Sequence, residues 1–341
     1  MKPTDFSKYV TDFFLKYLSH ERGASNNTIS SYRDTFILLF QFMEEKKHLK
    51  LKKLALIDIT RQVIIEFLDW LQESRKNSTS TRNQRLAVIR SFFGYIQYDN
   101  PEHISQCHGI MSIKLKNAPQ KVINYLSTEG IKLLLGQPDT TTRKGRRDLA
   151  LLSLMYDTGA RVQEIIDLTA NSCRLNKPYT VKIIGKGNKA RIVPLMEAQV
   201  NILKGYMSEN KLSEPFAGEY PLFCNTQKKK FTRAGITNIF LKYVEMARNT
   251  NPELVPQRLS CHSLRHSKAM HLLQAGVNLV YIRDILGHVS VQTTEIYAKA
   301  DAKLKREALE KAYVEVQPVN TSTAIWMEDQ DLKEWLNNLG N

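Results

Sequence analysis

The sequence predicts a mainly α-helical protein with two domains: an N-terminal four-helix bundle and a C-terminal mixed α/β domain with a small antiparallel sheet. Apolar residues recur at helical spacing in four segments before residue 100, which predicts the bundle. A basic, proline-containing stretch at 113–123 interrupts this pattern, as an exposed linker would. Helical spacing then returns and gives way once to alternation, at 179–195, which predicts two strands around a turn.

The length of 341 residues is enough for two domains that each bury a core. We place the first domain at 1–112, the linker at 113–123 and the second domain at 124–315. The remaining residues, 316–341, form an acidic tail. An amphipathic helix is predicted in this tail from four apolar residues that share one helical face: Leu332, Trp335, Leu336 and Leu339.

The composition excludes several classes of protein. Apolar residues make up 42% and charged residues 24%, and no apolar run approaches the roughly 20 residues of a membrane span. The N-terminal residues lack the apolar core of a signal peptide, so we expect a cytoplasmic protein. The four cysteines are scattered singly, so neither a zinc site nor a disulfide framework is indicated.

The net charge of +15 is distributed unevenly. Residues 1–118 carry 18 basic and 12 acidic side chains, residues 119–315 carry 30 and 18, and residues 316–341 carry 1 and 4. A basic body attracts a polyanion through counterion release, so nucleic acid is the predicted partner. A merely basic soluble protein is the alternative.

The helices of the first domain have recognisable ends. Gly23 ends the first helix, and residues 25–28 offer polar caps for the second. Thr60 begins the third helix, and Ser80 is the candidate cap of the fourth. On the fourth helix we expect four polar residues to lie off the apolar stripe and to contact phosphates, although a solvated helix face explains each equally well: Arg82, Asn83, Arg85 and Arg90.

The second domain begins with helices at 127–135 and 144–156. Gly159 ends the latter, because glycine accepts the left-handed conformation of a helix end. Arg161 therefore stands at the head of the next helix, with Glu164 one turn on. Further helices are predicted at 197–212 and from Thr232 to Arg248.

The two predicted strands, 179–184 and 190–195, flank the turn G-K-G-N-K, which carries Lys186 and Lys189. The turn is not a phosphate-binding P-loop, because that motif leads into a helix and this segment returns as a strand. A lysine in such a turn is usually solvated, and that alternative remains.

Residues 260–297 place one tyrosine among cations. His262 and Arg265 stand three apart and share a helical face. His288 follows Gly287, a pair that we interpret as a helix start, and Tyr297 comes nine residues later. This combination suggests attack by the tyrosine on a phosphate.

The chemistry of such a site follows from the residue types. A tyrosine has an ordinary pKa near 10, so as a nucleophile it needs cations or a base beside it. Arg161, Arg265 and His288 suit the non-bridging oxygens of a phosphodiester. Lys186 suits protonation of the leaving oxygen, and His262 suits acceptance of the tyrosine proton. Individually, a structural ion pair, a packed tyrosine and a helix cap explain these residues as well, and His266 and His271 are interpreted as bystanders.

Four segments, in this order, resemble the catalytic segments of the tyrosine recombinases, or phage-type integrases. They are G-A-R-V-Q-E-I-I-D-L, I-I-G-K-G-N-K-A-R-I-V-P-L, H-S-L-R-H-S and L-G-H-V-S-V-Q-T-T-E-I-Y. E-R-G-A-S-N-N-T-I-S-S-Y-R resembles the core-binding, SAM-like bundle of the Xer-like bacterial branch. The resemblance covers residues 5–312.

The resemblance implies a site-specific DNA recombinase that works through a 3′-phosphotyrosyl intermediate and a Holliday junction, without ATP or metal. Tyr297 would be the nucleophile and Lys186 the general acid. Glu164 would brace Arg161, and His262 would assist proton transfer. Two residues of the turn and its second strand are further expected to contact DNA: Lys189 and Arg191.

The same resemblance implies duplex DNA with inverted-repeat core sites as the partner, bound by a dimer on one site and a tetramer in the synapse. The tail would dock on a neighbouring protomer, fold back as a brake, or remain solvated. A type IB topoisomerase and a non-catalytic DNA-binding accessory protein are the alternative functions. Resolution, phage integration and transposition all remain open, as does possible encoding by a mobile element.

Overall fold

A computed structural model of the chain describes residues 4–119, 123–300 and Asn338. The contacts divide the chain into two compact units, residues 1–121 and residues 122–341. The predicted tail, 316–341, apart from Asn338, and the family's last helix, expected at about 302–313, lie outside the described residues.

The first unit contains the four predicted helices and a short fifth one. Helix α1 continues as a π-helical segment, Phe13–Glu21, before the chain turns at Gly23. The α-helices are α1 Asp5–Asp12, α2 Asn26–Lys47, α3 Arg61–Glu73, α4 Thr79–Asp99 and α5 Ile104–Met111.

Side-chain caps fix the starts of these helices. The hydroxyls of Ser25 and Thr60 accept hydrogen bonds from the first turns of α2 and α3, as the sequence predicts. The predicted cap of α4, Ser80, is wrong. Ser78 occupies that position and accepts a hydrogen bond from the backbone N–H of Thr81 at 3.2 Å. Both serines stand among small polar residues, so composition alone does not separate them.

Helix α5 closes the bundle where the sequence pattern weakens. Cys107, Ile110 and Ile113 are all buried in the first core, so residues 104–113 pack on the bundle. Lys116 donates hydrogen bonds to Asp69 at 3.1 Å and to Gln72 at 2.7 Å. The first part of the expected exposed linker is therefore attached to the bundle.

The four α4 residues expected to contact phosphate are engaged within the first unit. Arg82 is only 3% exposed, which corrects its predicted position, because 82, 86 and 89 follow helical spacing and share the buried face of α4. Burial also lowers the pKa of Arg82. Arg85 binds the Ser31 carbonyl and Thr35 hydroxyl, Arg90 binds the Ile113 carbonyl, and Asn83 binds the Lys116 carbonyl. Their contact with DNA stays a prediction.

The second unit combines helices with the predicted hairpin. Three strands form an antiparallel sheet in the order β1-β2-β3, and Val181 of β2 pairs with Val193 of β3. The elements are α6 Thr128–Leu135, α7 Arg143–Thr158, α8 Val162–Asp167, β1 Cys173–Arg174, β2 Thr180–Ile184, β3 Ala190–Pro194, α9 Glu197–Glu209, α10 Arg233–Thr250, α11 Cys261–Gln274, α12 Leu279–Leu286 and α13 Gln292–Ala300.

Helix α7 runs through the core of this unit. Leu151, Leu152 and Leu154 are completely buried, and α7 packs against both α9 and α11. Consecutive buried leucines are typical of a helix covered on more than one side. No helix in the described ranges is long and apolar enough to cross a membrane.

Candidate active site

The end of α7 positions the first arginine of the site. Gly159 has a φ of +57°, and a Cβ there would lie 2.5 Å from Cδ2 of Leu286. Only glycine satisfies both the left-handed backbone and this close approach. The chain reverses at Gly159 and begins α8 with Arg161 at the N-cap, as the sequence predicts.

Glu164 joins two arginines through one carboxylate. Its Oε1 accepts a hydrogen bond from Nη1 of Arg161 at 2.8 Å, and its Oε2 accepts one from the Arg161 backbone N–H at 2.9 Å. Oε2 also accepts a bond from Nη2 of Arg191 at 2.7 Å. Burial alone would raise the pKa of Glu164, but the bonds from Arg191 and Arg161 outweigh it and lower that pKa. The carboxylate is therefore ionised and holds the Arg161 guanidinium in one orientation.

Arg191 has a structural position that the sequence did not predict. Its side chain is only 10% exposed, and its Nε donates to the carbonyl oxygen of Ile285 at 2.9 Å. Gly287 leaves room for it, since a Cβ there would approach Nη1 of Arg191 to 2.9 Å. Arg191 connects β3, α8 and the end of α12. It also lines the cleft described below, and its contact with DNA stays a prediction.

Arg265 is held at the carboxyl ends of two helices. It is 1% exposed, and its terminal nitrogens donate to the carbonyl oxygens of Gly159 and Leu286, both at 2.7 Å. Carbonyls at helix ends lack partners within their helix and attract cations. Burial, together with the charge of Arg161, lowers the pKa of Arg265 to about 10, so the guanidinium stays charged near neutral pH.

His288 follows the end of a helix rather than the start of one. Gly287 has a φ of +66° and ends α12, so the interpretation of Gly287–His288 as a helix start is wrong. Glycine occurs both just before helices and just after them, so the Gly287–His288 pair does not by itself distinguish the start of a helix from its end. The His288 Nδ1 lies 2.9 Å from the buried Thr294 hydroxyl. Burial and nearby arginines lower the pKa of His288 to about 4, so its imidazole is neutral at pH 7.

Tyr297 is buried between two histidines. It is 1% exposed, and its Oη lies 3.0 Å from Nδ1 of His266. The His288 ring is nearly parallel to the Tyr297 ring, with an interplanar angle of 11° and centroids 6.4 Å apart. Burial raises the pKa of Tyr297, although Arg265 and Arg161 oppose this, so the hydroxyl is protonated near neutral pH.

His266 is the residue that the sequence interpretation missed. It was treated as a bystander, whereas the structure places it against the tyrosine hydroxyl. His262, the predicted proton acceptor, is exposed and contacts His266 edge-on with centroids 5.1 Å apart. Within the described residues, His262 makes no hydrogen bond to Tyr297. His271, the other predicted bystander, binds the Tyr156 hydroxyl at 2.9 Å, away from the site.

A cleft of about 610 Å³ is lined both by the hairpin turn and by Arg161 and His288. Lys186 is exposed at the hairpin turn and shares this cleft with Arg161 and His288. Its cationic lining would attract a phosphate, since the one acidic side chain among the lining residues, Asp284, is already bonded to Arg283. The charged or titratable lining residues are Arg161, Lys186, Lys189, Arg191, Arg283, Asp284 and His288.

Comparison with known proteins identifies the family. The model of the phage integrase family matches residues 124–303, more than half of the chain, and the model of the phage integrase N-terminal SAM-like domain matches residues 11–97. The chain belongs to the phage integrase family. DNA cleavage and rejoining by a tyrosine recombinase is the activity of this family, so the fold class and enzyme class predicted from the sequence are confirmed.

Relatives of this phage integrase family member span almost its entire length. It is 34% identical to the integrase/recombinase named y4rC of Sinorhizobium fredii, over 99% of each chain. It is 32% identical to the tyrosine recombinase XerD of Staphylococcus epidermidis, over 91% of this chain and 98% of the other.

Solved structures agree with this assignment. The site-specific recombinase XerH, bound to its palindromic difH substrate after cleavage, is 26% identical with a TM-score of 0.65, covering 86% of this chain and 82% of its own. The Tn1549 transposon integrase in complex with transposon right-end DNA shares the fold, with a TM-score of 0.68 and 17% identity over 88% of this chain and 98% of its own.

Proposed function

We propose that Tyr297 is the nucleophile of a site-specific recombination reaction on duplex DNA. The observation that carries the proposal is the connected network around the cleft. Glu164 holds Arg161, Arg265 binds the carbonyl two residues before His288, and the ring of His288 lies nearly parallel to that of Tyr297. A tyrosine surrounded in this way by phosphate-binding groups suits phosphoryl transfer without a metal.

In the proposed reaction, the Tyr297 oxygen bonds to phosphorus and the bond to the 5′ oxygen breaks. Arg161, Arg265 and His288 bind the non-bridging oxygens. Arg265 uses one N–H on each terminal nitrogen for a carbonyl, so other N–H groups remain for the phosphate. In this proposal His288 is in the tautomer that carries its proton on Nε2 and presents it to the phosphate, while its Nδ1 accepts from the Thr294 hydroxyl 2.9 Å away.

Lys186 is proposed as the general acid that protonates the leaving 5′ oxygen. The exposed turn allows its side chain to reach into the cleft it shares with Arg161. The resulting 3′-phosphotyrosyl bond conserves the energy of the phosphodiester. Attack by the 5′ hydroxyl of a second duplex then rejoins the strands without ATP, and exchange of one strand pair gives a Holliday junction.

The test begins by finding the substrate. Fragments of the DNA that flanks the reading frame are incubated with the full-length protein. Detergent then denatures the protein, and DNA that remains attached to it is recovered and sequenced. We expect adducts with a blocked 3′ end and a free 5′ hydroxyl at one recurrent sequence, termed the captured duplex below. Tyr297→Phe abolishes the adduct, whereas the matched control Tyr220→Phe, at an exposed tyrosine of the same unit, retains it. Failure of the wild-type protein to form any adduct would favour an accessory protein and overturn the proposal.

We further propose that the protein acts on inverted-repeat sites in the cytoplasm, as a dimer on one site and a tetramer in the synapse. XerH acts on a palindromic substrate, and a two-fold symmetric site suits a symmetric dimer. Relaxation of any supercoiled plasmid by a monomer would instead indicate a topoisomerase.

The tail, 316–341, is proposed to dock on a neighbouring protomer. Exposed apolar side chains near α12 and α13 support this proposal, because such groups suit a docking surface: Val280, Tyr281, Val289 and Ile296, at 42%, 66%, 89% and 41% exposure. Deletion of residues 318–341 is expected to abolish the tetramer on the captured duplex. Unchanged synapsis would contradict the proposal, and increased cleavage would indicate a brake.

A further inference from the structure

The hydroxyl of Tyr297 is in direct contact with only one titratable side chain among the described residues, and that side chain is His266. The distance of 3.0 Å from Nδ1 to Oη is that of a hydrogen bond. Tyr297 is on α13 and His266 on α11, 31 residues apart, so packing of these two helices makes the contact. A nucleophile must lose its proton as it attacks, and a base within hydrogen-bond reach is the natural acceptor.

We infer that His266, rather than His262, is the catalytic base that removes the proton of Tyr297. This inference rests on the proposed function of Tyr297 and adds a residue to it. In the step, Oη bonds to phosphorus while its proton moves to Nδ1 of His266. The bond from phosphorus to the 5′ oxygen breaks, and that oxygen takes its proton from Lys186. The tyrosine proton stays in the protein on His266, and the proton of Lys186 leaves with the 5′ hydroxyl, so atoms and charge balance.

The neighbouring histidines are less well placed for this transfer. His262 is exposed and contacts the His266 ring edge-on, and among the described residues it makes no hydrogen bond to Tyr297. The ring of His288 lies almost parallel to that of Tyr297, and its Nδ1 is occupied by Thr294.

The surroundings keep His266 unprotonated, and the same lowered pKa makes it a weaker base until negative charge enters the site. The charged or titratable groups that face it are His262 and Arg265 on its own helix, Tyr297 on α13, and His288 beyond Tyr297. Burial, followed by the effects of His262 and Arg265, lowers the pKa of His266 to about 4. The imidazole is therefore unprotonated throughout the neutral range. A bound phosphate would add negative charge and favour the imidazolium that the step creates.

The test measures single-turnover cleavage of the captured duplex, nicked so that the cleaved strand diffuses away. The variants are His266→Ala, which removes the base, and His266→Asn, whose side-chain oxygen accepts the hydrogen bond without taking up the proton. We expect both to cleave about 100-fold more slowly than wild type, the low end of what a positioned base contributes. His271→Asn is the matched control, since His271 is on the same helix and binds a tyrosine hydroxyl through the same nitrogen at 2.9 Å.

The pH profile separates a base from a positioning residue. Between about pH 6.5 and 8.5 the wild-type rate should be flat, because His266 is unprotonated throughout that interval. Without the base, cleavage depends on spontaneous ionisation of Tyr297, so the His266→Asn rate should rise about tenfold per pH unit. Matching unfolding midpoints establish that the variants are folded.

Three outcomes would overturn the inference. A wild-type rate for His266→Asn with a slow His266→Ala would show that the contact only orients the tyrosine. A faster His266→Ala would show that the contact restrains it. A slow variant with the flat profile of wild type would show that another group takes the proton. Absence of adduct with the wild-type protein would instead refute the proposed function, so the two failures are distinguishable.

Discussion

Arg191 and Glu164 form a nearly buried ion pair that joins the hairpin to the head of α8, with Nη2 and Oε2 2.7 Å apart. The same guanidinium also holds the last turn of α12 through the Ile285 carbonyl. Arg191, one of the residues expected to contact DNA, thus joins three elements beside the proposed phosphate site.

Arg191→Ala should lower the free energy of unfolding by about 3 kcal/mol, because it leaves a buried carboxylate without one of its two arginines. Urea denaturation of the full-length protein measures this change. Lys189→Ala is the control, since Lys189 is exposed two residues earlier on the same hairpin. We expect this variant to unfold like wild type and to reduce the salt dependence of DNA binding. Equal stability of both variants would contradict the structural role of Arg191.

Lys186→Ala should slow cleavage of the captured duplex by about 100-fold or more, as expected for loss of a general acid. A duplex with sulfur in place of the bridging 5′ oxygen should restore the rate, because a thiolate leaves without being protonated. The same duplex should not restore His266→Asn, which lacks the base. If sulfur fails to rescue Lys186→Ala, the lysine has a different role.

Stability should decrease as the pH is lowered from about 6.5 towards 4. His266 and His288 have a folded-state pKa of about 4, against the ordinary value of 6.5. Between these values the unfolded chain binds more protons than the folded one, so acid favours unfolding. Urea midpoints at pH 7 and pH 5 measure the loss. The decrease in stability between pH 7 and pH 5 should be smaller in the double variant His266→Asn/His288→Asn. A decrease equal to that of the wild type would show that other groups cause it.

Gly287→Ala should destabilise the protein by at least about 1–2 kcal/mol, because alanine is strained at a φ of +66° and its Cβ would press on Arg191. Gly94→Ala is the matched control. Gly94 lies in the middle of α4, and a Cβ there meets nothing within 4 Å. It should stabilise the protein by about 0.5–1 kcal/mol. Thermal unfolding compares the two, and destabilisation by both would point to a general intolerance of added methyl groups.

The parts of the site that local sequence determines could be predicted. Gly159, Arg161 and Glu164 interact within a few residues of one another, so a helix end, a cap and an ion pair follow from spacing alone. Helical periodicity likewise indicated the long helices. Helix α5 was not predicted because it is short and contains Gly109 as well as polar residues, which weaken the periodic pattern.

The missed roles depend on contacts between distant parts of the chain. Arg191 binds groups 27 and 94 residues away, and His266 binds one 31 residues away. Helical periodicity does not show which helices pack together. The sequence around a histidine next to Arg265 is therefore the same whether or not its side chain contacts a tyrosine. Arg82 was placed wrongly for a simpler reason, since its spacing from Leu86 already favours the buried face.

Arg265 binds carbonyls 106 residues before it and 21 residues after it. During synthesis on the ribosome, the first partner emerges long before the arginine, and the second emerges only shortly before Tyr297. A contact between residues 106 apart slows folding, because the entropy of closing so long a loop must be overcome first. A chain that ends before Leu286 therefore lacks one partner of Arg265 and also lacks Tyr297, the proposed nucleophile. The proposed phosphate site can form only once the chain has been made past both residues.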